Sequence, residues 1–190
     1  MGTKQVRLCG FGGQGIVLAG LIFGRAGMAD GKWVTSTSSY GAAARGGACL
    51  SDVVISDQPI IFPQVIKIDI LIPMSQQAYD KYIGGVERGI SIVIYDEGVV
   101  PREISELEQV GIPATKVATE EFGNEIVANV IILGAIVEMT GIVSKKALIS
   151  ATKESVPERF REINAKAVDI GFSLGEEKLR KLDNKRLLSW

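Results

Sequence analysis

The stretch Gly10-Phe11-Gly12-Gly13-Gln14-Gly15 decides the fold of this chain of 190 residues. It follows a strand-like run, Gln5 to Cys9, and precedes an apolar segment, Ile16 to Ala29, whose spacing predicts a helix. A strand, a glycine-rich turn and a helix in this order open a Rossmann-like α/β domain. Because glycine permits positive φ and close backbone approach, the N–H groups of such a turn can face a phosphate or a carboxylate.

Short apolar runs downstream predict a three-layer domain with a mostly parallel sheet. The segment Lys32 to Thr35 is a second strand, and Ser36 to Gly47 is rich enough in small residues to indicate a loop. A β-hairpin excursion is expected where Ala48 to Ser56 meets Ile60 to Phe62 across a turn. Two later continuous apolar runs are typical of strands buried on both faces, namely Ile68 to Pro73 and Ile90 to Tyr95.

The second half of the chain is expected to be mainly helical. Ser75 is a suitable N-cap for a helix reaching Ile83, because its hydroxyl can accept an early helical N–H. Asn129 lies inside a strongly apolar helix and needs a polar partner if buried, so we expect it to bond a loop backbone. The remaining predicted elements are a helix at Pro101 to Val110, a last strand at Thr115 to Ala118, and helices at Asn124 to Met139, Ser144 to Thr152 and Pro157 to Ser173.

These elements indicate a single α/β domain over residues 1–175, followed by a charged helix or extension over residues 176–190. With 21 basic and 22 acidic side chains, the net charge of −1 argues against nucleic acid or an anionic membrane as a partner. No apolar run approaches the length of a membrane span, and the chain starts without an export segment. We therefore expect a cytoplasmic protein.

Histidine and cysteine usage narrows the chemistry. The chain has no histidine, which removes the commonest general base and most zinc and triad chemistry. Cys9 and Cys49 lie far apart in apolar runs, so we expect two reduced core residues and no disulfide. Two separated cysteines also cannot supply the four thiolates that a [4Fe–4S] cluster usually needs.

The glycine turn alone would indicate a free-standing protein that binds NAD(P) or FAD. That class of protein needs an acidic residue at the end of the second strand to hold the ribose, and here Thr35-Ser36-Thr37 stands instead. Asp30 precedes that strand and should lie at the opposite edge of the sheet. The turn also lacks the Gly-Lys-Ser/Thr of a P-loop. A purely structural role, in which the glycines only let the helix pack on the strand, stays open.

A second candidate loop, Ser39 to Gly47, contains Arg45 flanked by small residues. An arginine in such a loop can approach an anion closely and bind it with a planar fork of donors. The loop follows the second strand, so it should lie at the same carboxyl edge of the sheet as Gly10 to Gly15. The alternative is that Arg45 binds a carboxylate within the protein or on a neighbouring subunit.

Taken together, the motifs resemble the gamma subunits of 2-oxoacid:ferredoxin oxidoreductases of the pyruvate, 2-oxoglutarate and ketoisovalerate group. The resemblance extends to about Gly171, and where family members often carry Pro-Glu this chain has Ala42-Ala43. The motifs that carry it are Gly-Phe-Gly-Gly-Gln-Gly, Tyr40-Gly-x-x-x-Arg-Gly-Gly, Ser51-Asp-x-x-Ile-Ser-Asp, Asp69 to Ile72, Gln77-Ala78-Tyr79 and Asn129 to Ala135.

The resemblance implies one subunit of an enzyme that oxidatively decarboxylates a 2-oxoacid, with 2-oxoglutarate as the favoured substrate, and transfers the acyl group to coenzyme A. Alpha, beta and in some cases delta subunits are the implied partners, with ferredoxin or a similar protein as the electron acceptor. The resemblance also implies that thiamine diphosphate, magnesium and the iron–sulfur clusters are bound by those partner subunits. This chain alone is therefore expected to bind no cofactor and to be inactive.

For the site residues, the resemblance associates the gamma domain with the coenzyme A side of the reaction. The hypothesis is that the turn and the arginine loop bind coenzyme A phosphates, and an equally physical alternative is that both loops form a subunit interface. No catalytic residue and no metal ligand is expected in this chain. The candidate residues are Gly12, Gly13, Gln14, Gly15, Arg45 and Gly46.

Overall fold

A computed structural model describes residues 2–41, 47–100 and 107–182. In this part of the chain one six-stranded sheet forms the centre of the domain, in the order β2-β3-β1-β4-β5-β6. Its strands are β1 Lys4–Phe11, β2 Trp33–Tyr40, β3 Ala48–Ser56, β4 Ile70–Pro73, β5 Ile92–Asp96 and β6 Gln109–Ile112.

The sheet is mostly parallel, as expected. Strands β4, β5 and β6 run parallel to β1, and β3 is antiparallel to both of its neighbours. Since β2 is antiparallel to β3, it points the same way as β1. The ends of β1, β2 and β4 therefore meet at one carboxyl edge, where the predicted glycine and arginine loops both begin.

The hairpin predicted between Ala48 to Ser56 and Ile60 to Phe62 is wrong, because β3 pairs with the preceding strand β2 instead. The β2 strand continues through Ser36 to Tyr40, where a loop was expected, and pairs along its whole length with β3, from Trp33 opposite Ser56 to Tyr40 opposite Cys49. The segment Ile60 to Phe62 is not a strand. The serine and threonine residues of β2 are typical of a loop when only the sequence is considered. They also fit an exposed edge strand, whose backbone hydrogen bonds are made with β3.

Helices cover both faces of the sheet, which confirms the predicted fold class. One face carries α1, α3, α4, α5 and α6, whose apolar side chains join those of Val6, Leu8, Ile72 and Ile94 in the main core. The other face carries α2, which packs on Cys9, Leu71 and Val93. The helices are α1 Ile16–Ala29, α2 Gln76–Tyr82, α3 Ala114–Phe122, α4 Ala128–Thr140, α5 Lys145–Ser155 and α6 Arg161–Lys181, with 3-10 turns at Ile83–Gly85, Glu125–Val127 and Glu158–Phe160.

Two sequence predictions in the middle of the chain are wrong. The segment Thr115 to Ala118 is not a strand, because it lies inside helix α3. Of the helix predicted at Pro101 to Val110, residues 101–106 lie outside the described residues, and Gln109 and Val110 belong to strand β6 instead. Distant residues decide the state of both segments: Gln109 and Val110 pair with β5, and the carboxylate of Asp96 accepts the N–H of Thr115 in the first turn of α3.

Ser75 caps α2 as predicted, and its hydroxyl accepts the N–H of Ala78 at 3.2 Å. Both cysteines are buried and free, as expected, and burial raises the pKa of the Cys9 thiol to about 12. Asp30 lies at the amino edge of the sheet, where its carboxylate accepts the backbone N–H and the hydroxyl of Ser144, the N-cap residue of α5. It is therefore far from a ribose position, as the sequence indicated.

Helix α4 is the central helix, and it is buried from Ala128 to Val137. It crosses α6 at a contact between Gly134 and Gly171, where a Cβ on Gly171 would lie 2.8 Å from the Cα of Gly134 and overlap the carbonyl oxygen of Ile131.

No helix in the part of the chain that the structure describes is both long enough and apolar enough to cross a membrane. Helix α6 continues to Lys181, and the division of the chain at residue 175 stays a prediction.

The Gly134–Gly171 contact predicts a specific cost of adding one methyl group. Gly171→Ala should force α6 away from α4 and lower the free energy of unfolding by about 3 kcal/mol, because backbone atoms cannot move aside as a side chain can. The control is Gly84→Ala, whose added Cβ meets no atom within 4 Å. Urea denaturation followed by circular dichroism measures both, and equal stabilities for the two variants would contradict the packing argument.

A candidate anion-binding cleft at the carboxyl edge

The glycine turn is held by its own backbone and by the second loop. The Gly12 N–H donates to the carbonyl of Gly47 at 2.9 Å, and the Gln14 N–H donates to the carbonyl of Phe11 at 3.2 Å. Gly13 and Gly15 have φ of +106° and +69°, in the region that favours glycine. The Gly12–Gly47 bond shows that the glycine turn and the end of the arginine loop lie side by side. Arg45 and Gly46 themselves lie outside the described residues.

The Gln14 side chain is used to fix the turn. Its Oε1 accepts the N–H of Phe11 at 2.7 Å, and its Nε2 donates to the carbonyl of Met74, directly after β4, at 2.6 Å. Both ends of the amide are therefore engaged within the domain. This geometry assigns Gln14 a positioning role, and the ligand-binding role predicted for its side chain would require these bonds to break.

Asn129 fixes the turn from the other side. Its Nδ2 donates to the carbonyl of Gly15 at 3.0 Å, which confirms the expectation that this buried amide bonds a loop backbone. Its Oδ1 accepts the N–H of Val130 at 2.9 Å. A Cβ on Gly15 would overlap the amide nitrogen of Asn129, so glycine is required there both by φ and by space.

The turn leaves several backbone donors available. The N–H groups of Gly13, Gly15 and Ile16 have no hydrogen-bond acceptor among the described residues. They lie at the N-terminus of α1, where the partial positive charge of the helix favours an anion. These backbone amides are candidate binding groups for an anion.

A cleft of about 280 Å³ lies beside the turn. It is bounded by the end of β4, the first residues of α3 and the 3-10 turn that leads into α4. The lining residues are Gly13, Gln14, Met74, Thr115, Asn124, Glu125, Ile126 and Ala128. Of these residues, Gly13 and Gln14 were predicted from the sequence as site residues. The others were not, because Thr115 was assigned to a strand and residues 124–128 were treated only as the start of a helix.

The N-terminus of α3 is closed by a carboxylate of the domain itself. Asp96, fully buried at the end of β5, accepts the N–H of Thr115 at 2.9 Å and its hydroxyl at 2.5 Å. Its other oxygen accepts the N–H of Gly98 at 3.1 Å. Burial raises the pKa of Asp96 above its ordinary value, against the lowering effect of these hydrogen bonds. The donors at the N-terminus of α3 are therefore already bonded, and the α1 end of the cleft is the part that remains for an external anion.

The described lining of the cleft carries a negative charge and no positive charge. Glu125 lines it and would repel an anion, and none of its described lining residues is a lysine or an arginine. Compensating positive charge has to come from another segment or another chain. Arg45, two residues before the Gly47 that bonds Gly12, is the candidate within this chain.

The fold is that of a Rossmann-like α/β domain, and its candidate site includes backbone amides of the glycine turn. Strand β2 ends in Ser38-Ser39-Tyr40 with no carboxylate to hold a ribose, so the described site lacks a defining part of a dinucleotide-binding enzyme.

The family model for pyruvate ferredoxin/flavodoxin oxidoreductase matches residues 5–174, so the chain belongs to this family. Over 178 residues the chain is 47% identical to the 2-oxoglutarate synthase subunit KorC of Methanocaldococcus jannaschii, covering 92% of this chain and 95% of that protein. A keto/oxoacid ferredoxin oxidoreductase gamma subunit from Geobacter sulfurreducens is 37% identical, with a TM-score of 0.80 over 92% of this chain and 99% of that one.

A longer solved chain has the same fold. It is a 2-oxoglutarate:ferredoxin oxidoreductase from Magnetococcus marinus with 2-oxoglutarate, coenzyme A and succinyl-CoA bound, and the match covers 93% of this chain but 32% of that one, with a TM-score of 0.83 and 21% identity. The chain is thus a gamma-type subunit of a multi-subunit 2-oxoacid oxidoreductase. This result confirms the predicted resemblance over the alternative of a free-standing dinucleotide-binding protein.

The role of Asn129 in holding the turn can be tested without ligand. Asn129→Asp keeps the shape of the side chain but turns an oxygen toward the carbonyl of Gly15, so it should lower the free energy of unfolding by about 2 kcal/mol. It should also shift the backbone amide resonances of Gly13, Gly15 and Ile16 in heteronuclear NMR spectra.

The matched control is Asn164→Asp, because the Nδ2 of Asn164 donates to the carbonyl of Phe160 at 2.8 Å in the same manner. It should cost similar stability and leave the turn resonances in place. Unchanged turn resonances in Asn129→Asp would show that Asn129 does not position the turn.

Proposed function

We propose that this chain is the gamma subunit of a 2-oxoglutarate:ferredoxin oxidoreductase and that its glycine turn binds a phosphate group of coenzyme A. The complex would convert 2-oxoglutarate, coenzyme A and oxidised acceptor into succinyl-CoA, carbon dioxide and reduced acceptor. In this proposal alpha, beta and, where present, delta subunits are the partners, ferredoxin or a similar protein takes the electrons, and the complex works in the cytoplasm.

The choice of 2-oxoglutarate rests on likeness along the whole chain. The Methanocaldococcus relative, a 2-oxoglutarate synthase subunit, is 47% identical over nearly its full length. A pyruvate synthase subunit of Methanothermobacter marburgensis is 31% identical over 88% of this chain. This difference favours 2-oxoglutarate over pyruvate for the complex, although the residues that select the oxoacid would lie on other subunits.

The observation that carries the coenzyme A proposal is the set of amides of Gly13, Gly15 and Ile16 at the start of α1, which have no acceptor among the residues that the structure describes. A phosphate needs several convergent N–H donors, and a helix N-terminus supplies them together with a favourable dipole. Because Gln14 and Asn129 already fix the turn, little conformational entropy is lost when an anion binds. The Magnetococcus structure, which shares the fold, has coenzyme A bound.

The described residues offer no site for the other cofactors of the family. Cys9 is buried with a raised pKa, and no group of three metal-ligating side chains occurs in residues 2–41, 47–100 and 107–182. We therefore propose that thiamine diphosphate, magnesium and the iron–sulfur clusters reside on partner subunits. The part of this chain would be to bind and orient the cosubstrate, whose thiol accepts the acyl group elsewhere in the complex.

A second candidate role for the same turn is subunit contact, since unpaired amides can equally bind carbonyl groups of a neighbouring chain. The glycines favour close backbone approach in both cases. The two roles differ in what a substitution changes: coenzyme A affinity in the first, and assembly in the second.

Isothermal titration of coenzyme A into the assembled complex distinguishes them. Gly13→Ala puts a methyl group at a φ of +106°, next to the donors, and should raise the Kd for coenzyme A at least tenfold. Arg45→Ala should raise the Kd by a similar factor, because it removes a charged donor. The matched control is Gly31→Ala, also at positive φ with no atom near the added Cβ, but at the far end of α1.

Under the coenzyme A proposal, complexes with any of the three substitutions assemble normally and only the Gly31→Ala complex binds coenzyme A as wild type does. Unchanged affinity in both Gly13→Ala and Arg45→Ala would contradict coenzyme A binding by these loops. Failure of only those two variants to enter the complex would favour the interface role.

A further inference from the structure

A second surface, distant from the cleft, is apolar and uncharged. It is the 59–66 loop, Pro59-Ile60-Ile61-Phe62-Pro63-Gln64-Val65-Ile66, eight consecutive residues without a charge between β3 and β4. In the isolated chain the side chain of Ile61 is 98% exposed, that of Ile66 74% and that of Phe62 53%. Trp33, on the adjoining end of β2, is exposed as well. Contiguous exposure of this kind marks an interaction site more often than chance placement of single apolar residues.

The 59–66 loop is held in place by the domain. The Oε1 of Gln5 accepts the N–H groups of Ile66 and Lys67 at 2.6 and 3.1 Å. The hydroxyl of Thr35 donates to the carbonyl of Pro63 at 3.0 Å. The loop therefore presents its apolar side chains from a fixed backbone, which reduces the entropy lost when a partner covers them.

The surroundings of the loop have the composition of a protein interface. A groove of about 330 Å³ runs beside it, lined by Thr3, Gln5, Val54, Pro59, Ile60, Ile61, Phe62, Gln64 and Ile66. At its margins Lys32 pairs with Asp57 at 2.9 Å and Lys67 with Glu87 at 2.8 Å. An apolar centre inside a rim of polar, mutually neutralised groups favours a partner surface that is itself uncharged.

The loop also lies where a partner would leave the cleft open. It follows the end of β3, next to Lys4 at the start of β1. This is the amino edge of the parallel strands, opposite the carboxyl edge that carries the glycine turn. A chain that docks here can hold the domain without covering Gly13 to Ile16.

The comparison with the Magnetococcus chain indicates the partner. There the matching fold makes up 32% of one longer polypeptide, so it is joined covalently to the rest of that chain. The Geobacter gamma subunit, by contrast, is matched over 99% of its own length, so a gamma-type domain of that kind joins its complex through a noncovalent surface. We propose that the 59–66 loop and its groove dock on an uncharged apolar surface of a partner subunit of the same oxidoreductase. The inference rests on the proposed function for the existence of that partner.

The test is co-purification of the complex from cells that express all its subunits, with the tag on a partner subunit. Ile61→Asp places a charge at the most exposed position, where the isolated fold needs no apolar group. Its yield in the complex should fall at least tenfold relative to wild type, and Phe62→Asp should act in the same way. The control is Met28→Asp, since Met28 is 63% exposed on α1, on the other face of the sheet. Circular dichroism of each isolated variant checks the fold.

If wild type assembles and both loop variants assemble equally well, the docking inference is wrong while the proposed function stands. If wild type itself does not assemble with the other subunits, the proposed function fails first. Equal loss with Met28→Asp would also overturn the inference, because the effect would not be specific to the loop. A wild-type homodimer that Ile61→Asp converts to monomer, with subunit binding unchanged, would identify a second copy as the occupant instead.

Discussion

The hydrogen bonds that two side-chain amides make to the backbone hold the functional edge of this domain together. Gln14 connects the glycine turn to the end of β4, and Asn129 connects it to the buried central helix α4. Strand β1, the turn, β4 and α4 therefore form one unit. Without these bonds a turn with two residues at positive φ would be free to adopt many conformations, and its amides would not converge.

Glycine residues stabilise the same unit through close interatomic contacts as well as through their backbone torsion angles. Gly15 lies against Asn129 so tightly that no larger residue fits, and Gly134 and Gly171 bring α6 into backbone contact with α4. The position of α4 thus depends on α6, and the position of the turn depends on α4. A change on the C-terminal helix is therefore connected to the cleft through two close contacts.

The parts of the structure that depend on local chemistry could be predicted from the sequence. The β1-turn-α1 unit, the Ser75 cap and the need of Asn129 for a backbone partner follow from glycine torsions, capping and the cost of a buried amide. The extension of β2 to Tyr40 and the helical state of Thr115 could not be predicted, because β3 supplies the pairing for one and the distant carboxylate of Asp96 caps the other. The side-chain bonds of Gln14 could not be predicted either, because one of its partners, Met74, lies 60 residues further along the chain.

The two edges of the sheet differ in their surfaces. The carboxyl edge has a cleft and backbone amides without an acceptor among the described residues, and the amino edge has the apolar 59–66 loop. A cryo-electron microscopy structure of the native complex with coenzyme A bound tests most directly whether the glycine turn binds the cosubstrate. We expect phosphate oxygens about 3 Å from the amide nitrogens of Gly13, Gly15 or Ile16. Coenzyme A phosphates bound elsewhere, with these amides donating to carbonyl groups of a neighbouring subunit, would contradict coenzyme A binding by the turn.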